Sequence, residues 1–127
     1  MDAADILNDM LVALRGELHD GYGTIAEFAE RQGRMLAKQA EHLAKERADG
    51  FLTDDDDLFA FFLEGMQRDA ENMAKSIAML SVITVEKAWN AVAGALWGGL
   101  RTILAAAGVP AVLLPETPNF SITGPAI

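Results

Sequence analysis

Residues 81–107 read SVITVEKAWNAVAGALWGGLRTILAAA, and where this stretch breaks and what covers it decide the fold. Upstream, Thr53 and the four aspartates Asp54 to Asp57 stand where carboxylates favour the free N–H groups and positive dipole of a helix start. No proline follows until Pro110. The pattern predicts a helix from about residue 54 to 107. At 1.5 Å per residue it would be about 80 Å long, too long for a compact domain of this size. Either it breaks, or the molecule is extended and needs partners along its length. The break is expected at Ser81-Val82-Ile83-Thr84-Val85, where a β-branched run weakens helix propensity. The same run has the composition of a strand, but no second strand is evident to pair with it.

Before the break, Leu63, Met66, Ala70, Met73, Ile77 and Leu80 keep heptad spacing, a coiled-coil-like seam. After it the helix is apolar on every side, and Arg101 is the only charge between Lys87 and Glu116. A helix of that kind lies in a large core or in a membrane. Its length meets the requirement of about 20 residues for a span. Gly94-x-x-x-Gly98 has the small-residue spacing that lets helices approach closely. Against a span, Arg101 sits near the middle, at a cost of about 2.5–3.5 kcal/mol. Pro110 also ends the helix early, and no Lys/Arg cluster sets an orientation. Burial against copies of the chain is therefore expected, with Gly94, Trp97, Gly98, Leu100, Arg101, Leu104 and Phe120 at the interface. A transmembrane helix and an ordinary intramolecular core remain the alternatives.

Arg101 carries the sharpest expectation. A buried, unpaired guanidinium is too costly to keep, and Glu86 is four turns away on the same helix. Arg101 should meet a carboxylate or free backbone carbonyls of a neighbouring copy, or line a wet channel between copies. The plainer expectation is that its head reaches water while its stem covers apolar neighbours.

The first half of the chain is different in kind. Ile6, Leu7, Met10, Leu11, Leu14 and Leu18 predict a helix over residues 3–19, started by Asp2 and Asp5 and ended near Gly21. Thr24-x-x-Glu27 has the form of a capping box for a second helix reaching Asp49, closed by Gly50. Its apolar stripe, Ile25, Phe28, Leu36, Ala40 and Leu43, is thin, and its other faces are charged. An outer helix packed on one side is expected. The tail holds three of the four prolines and reads as extended.

Charge follows the same division. Fourteen acidic and 6 basic residues precede Leu58, against 5 and 4 from there on, within a net charge of −9. That balance argues against nucleic acid, because neutralising phosphates takes Lys and Arg. It also gives no attraction to anionic lipid. The chain has no cysteine, hence no disulfide, thiolate metal site or thiol nucleophile. Its beginning, Met1-Asp2-Ala3-Ala4-Asp5, does not have the basic-then-apolar form of a signal peptide.

Motifs with chemistry fail on inspection. Counted from Asp54 as a calcium loop, the sixth position is Phe59 instead of glycine and the twelfth is Gly65 instead of glutamate. His19 and His42 are not part of Glu-x-x-His pairs. Ser76, Ser81 and Ser121 lack a nucleophile elbow. The glycines of 94–99 lack the Lys-Ser/Thr of a P-loop. Leu114-Pro115-Glu116-Thr117 starts like a sortase signal but continues with Pro118. Asn119-Phe120-Ser121 is a glycosylation triplet without a secretion signal to support it.

The expected fold is all-α. Residues 1–52 form a charged helical hairpin, 53–109 a long helix, whole or broken, and 110–127 an extended Pro-rich arm that latches onto a neighbour. The expected function is that of a non-enzymatic structural subunit of a homo-oligomeric helical assembly, such as a virion, phage-tail or ejection component or a filament. A small oligomeric membrane-inserting or pore-forming protein is the first alternative. A soluble coat or adaptor bundle is the second. No catalytic, metal or cofactor site is expected. The expected partners are copies of the chain, with a lipid bilayer or another assembly component also considered.

Overall fold

The structure, a computed structural model, describes residues 1–120. It is 81% helix, with no strand among the described residues. The elements are α1 (Ala3–Leu18), α2 (Tyr22–Asp49), α3 (Asp56–Leu80) and α4 (Val85–Ala106). Short 3-10 turns cover His19–Gly21 and Ala111–Leu113.

The helix anticipated over 54–107 is broken at Ser81–Thr84, and hydrogen bonding shows why. The Ser81 backbone is extended, at φ −145° and ψ −170°. Its hydroxyl donates to the Ile77 carbonyl at 2.7 Å, taking the acceptor that a continuing helix would use. Thr84 then caps α4 by accepting from the Lys87 N–H at 3.1 Å. Ile83 is buried in the turn between them. The β-branched run is thus a reversal, and α3 and α4 fold back on one another.

Facing residues give the topology. Gly33 of α2 lies against Leu7 and Met10 of α1. Phe28 and Gln39 of α2 share a groove with Ser76 and Asp69 of α3. Gly99 of α4 meets Ile6, near the start of α1. Sequential helices therefore run antiparallel, as does α1 against α4, in an up-down-up-down bundle. α2 and α4 touch along the diagonal, and each also packs on α1 and α3.

This placement corrects the expectation that α2 is an outer helix. Its thin stripe is widened by residues of little hydropathy: Ala29, Gly33, Ala37 and Ala44 are all buried beside Leu36, Ala40 and Leu43. Small side chains let neighbouring helices come close, and three helices use that face. The exposed side is laced by i, i+4 ion pairs, Glu27–Arg31, Glu30–Arg34 and Glu41–Lys45. Each contributes a few tenths of a kcal/mol, about 0.3–0.5.

The helix ends differ from expectation in two places. α2 begins at Tyr22, so Thr24 and Glu27 lie inside it and their capping box does not form. The chain turns at His19, which adopts φ +49° and ψ −121°; Gly21 is at φ −70°. By contrast, Asp2 and Asp5 form a reciprocal box at the start of α1, each carboxylate accepting the other's backbone N–H at 3.0–3.1 Å. Asp55, second of the four aspartates, caps α3 by accepting from the Leu58 N–H at 2.9 Å.

Candidate functional site

The residues expected at an interface separate into three groups. Trp97, Leu100 and Leu104 lie in the chain's own core, exposed by 2%, 0% and 0%. The premise that one small chain cannot bury them is corrected. α4, like α2, is contacted by all three other helices, so its apolar surface is largely matched within the bundle. The seam on α3 likewise faces inward, with Met66, Ala70, Met73 and Ile77 buried, while Leu80 at its end is exposed.

Arg101 and Phe120 belong to a second group, joined by the segment after α4. The chain leaves the helix through Gly108, at φ +87°, and returns along α4. Arg101 Nη1 donates to the Pro115 carbonyl at 3.1 Å and to the Thr117 hydroxyl oxygen at 3.0 Å. Trp89 Nε1 donates to the Pro118 carbonyl at 3.0 Å. The Phe120 ring meets Trp89 edge-on, with centroids 5.7 Å apart. The guanidinium thus finds the backbone carbonyl it was expected to need, but in its own chain, 14 residues on. Residues 121–127, the rest of the expected arm, lie outside the described residues, as does Ser121 of the glycosylation triplet.

Gly94 and Gly98 form the third group, and they face outward. A Cβ added to either would meet nothing within 4 Å. They floor a shallow groove of about 390 Å³ between α4 and α1, bounded by Asn90 and Thr102 on one side and Asp9 and Ala13 on the other. Gly99, beside them, is of the opposite kind: its added Cβ would come within 2.4 Å of the Ile6 side chain. Gly99 is needed for α1 to reach α4. Among the described residues, no side chain or neighbouring helix approaches Gly94 or Gly98 where a Cβ would stand.

Sequence reasoning passed over a second surface, at the α2–α3 corner. Phe51, Phe61 and Phe62 are exposed by 60%, 60% and 38% and touch edge-on in sequence, Phe51 to Phe62 at 6.2 Å and Phe61 to Phe62 at 5.7 Å between centroids. Beside them a small apolar cavity of about 130 Å³ is lined by Leu43, Leu52 and Phe62, with His42 and Glu46 also lining it. The signal was present: at about 100° per residue, Phe61 falls on the side of α3 opposite Phe59, Met66 and Ile77, which are buried. The corner is braced by Arg47, which donates to the Leu52 carbonyl at 2.9 Å and to Asp56 Oδ1 at 2.6 Å, and stacks over Phe59 at 4.8 Å.

Reaction chemistry finds little footing. Among the described residues no group of three or more His, Asp or Glu gathers as metal ligands. His19 and His42 are exposed and lie on separate elements. Glu71 is a buried carboxylate that sequence reasoning also missed; Gln67 Nε2 donates to its Oε2 at 3.4 Å. No helix among the described residues is long and apolar enough to cross a membrane. The fold is a four-helix bundle whose open surfaces include the α1–α4 groove and the aromatic corner. No protein family, curated protein or solved structure matches the chain.

Proposed function

We infer that the protein is a non-enzymatic structural subunit that associates with copies of itself through the outer face of α4. The observation that carries this is the contrast among the α4 glycines. A glycine inside a helix costs about 0.5–1 kcal/mol relative to alanine. Gly99 offsets that cost by admitting Ile6. Gly94 and Gly98 do not, because space stands open above both. One turn apart on one face, they suit the close approach of a second helix. A filament or a virion or tail component is the kind of assembly such a subunit builds.

Sedimentation tests this directly. The wild-type chain should associate, and Gly94→Leu with Gly98→Leu should yield monomers whose helicity by circular dichroism is unchanged. A well-behaved wild-type monomer at micromolar concentration overturns the proposal.

A further inference from the structure

We propose that the aromatic corner at Phe51, Phe61 and Phe62 is a docking site for a cationic amphipathic helix of another protein. It is a separate surface and does not depend on how α4 is used. Large aromatic side chains gain roughly 1.5–3 kcal/mol when buried, yet three adjacent ones stand open here. Contiguous apolar surface rimmed by polar groups marks a site of interaction.

The exposure is not the result of a slack loop. The Phe51 N–H donates to the Glu46 carboxylate at 3.1 Å, and the Leu52 N–H to the Glu46 carbonyl at 3.1 Å. Arg47 ties the Leu52 carbonyl and Asp56 to α2. Gly50 is required at the bend, since a Cβ there would fall on the Glu46 carboxylate. The aromatic rings are therefore held in place before any partner arrives, which lowers the entropy lost on binding.

Charge selects the occupant. Asp49, Asp54 and Asp57 are exposed around the corner, and the first half of the chain is strongly acidic. A second copy would bring the same carboxylates against these, and like charges facing one another are costly. Anionic lipid and nucleic acid are repelled for the same reason. A helix with one apolar and one Lys/Arg face satisfies both demands. One aliphatic side chain would enter the cavity at Leu43, Leu52 and Phe62, as an anchor does in helix-in-groove recognition. Its basic residues would lie over Asp54 and Asp57.

The test uses the full chain, isotopically labelled, with a synthetic leucine/lysine amphipathic helix as the probe. Amide shifts should concentrate between residues 39 and 62, and the dissociation constant should rise with salt. Phe51→Ser with Phe62→Ser should weaken binding about tenfold or more. Asp54→Asn with Asp57→Asn should also weaken it, by roughly threefold to tenfold. Asp20→Asn with Asp69→Asn, which removes the same charge elsewhere, should leave it unchanged. Circular dichroism checks that each variant is folded. Any of five outcomes overturns the proposal: no binding at millimolar peptide, equal binding of a leucine/glutamate helix, equal weakening by the remote acidic pair, self-association lost in the phenylalanine variant, or attachment of the corner to zwitterionic vesicles in preference to the peptide.

Discussion

Arg101 of α4 and Thr117 are joined by a 3.0 Å hydrogen bond from guanidinium to hydroxyl, and the same nitrogen reaches the Pro115 carbonyl. The only charge between Lys87 and Glu116 thus fixes the path of the chain after α4. Arg101→Met keeps the stem and removes both hydrogen bonds. The residue is part-exposed, so the expected loss is about 1 kcal/mol or less, and it should be local. Limited proteolysis between residues 108 and 118 should accelerate several-fold while the melting temperature moves little. Unchanged cleavage would show that the arm is held without Arg101.

Substitution of the α4 glycines separates packing inside the chain from contact outside it. Gly99→Ala forces a methyl group onto Ile6 and should cost about 1–3 kcal/mol in denaturant unfolding. Gly94→Ala and Gly98→Ala meet open space and should each stabilise the monomer by up to about 1 kcal/mol. The same two changes should weaken association. A Gly98→Ala variant that is both less stable and equally associated contradicts this assignment.

His19 turns the chain between α1 and α2 at φ +49° and ψ −121°, where a Cβ is crowded. Such a residue typically stores about 1–3 kcal/mol. His19→Gly should recover about 1 kcal/mol, raising the melting temperature by roughly 3–5 °C. His19→Ala should recover nothing. Equal behaviour of the two variants would show that the turn is unstrained.

The Asp2 carboxyl is held below its ordinary 3.8, chiefly by the backbone N–H of Asp5, with desolvation opposing the shift and the Asp5 side chain and Ala4 N–H adding to it. A lowered carboxylate pKa contributes stability that is present above pH 3.8 and lost as pH falls through the lower folded value. Carbon-detected titration of Asp2 should show a midpoint below 3.8. Asp2→Ala should remove this contribution to the acid dependence of α1.

The helices were legible in the sequence because their signals are local. The α3–α4 break followed from β-branching at 82–85, and the acidic start of α3 from unsatisfied N–H groups. What was not legible was which helix sits at the centre. Ala29, Ala37 and Ala44 add almost nothing to hydropathy, so α2 looked peripheral, and an α2 without a wide stripe left α4 without cover. The misplacement of Trp97, Leu100 and Leu104 followed from that single error. Gly94 and Gly98 were singled out by spacing, but spacing could not show that they face outward. The aromatic corner escaped because Phe51 lies in the turn after α2 and Phe61 and Phe62 on α3, and only the folded chain brings their rings together.

The diagonal contact between α2 and α4 also sets a timetable for biosynthesis. Helices α1, α2 and α3 leave the ribosome before α4; α1 packs on α2 and α2 on α3, but the part of each that packs on α4 closes only when α4 follows. Ile6, which lies against Gly99, waits for that step. A nascent chain stalled before Trp89 is therefore a form in which the α4-facing surface of the other three helices stands open to chaperones and proteases.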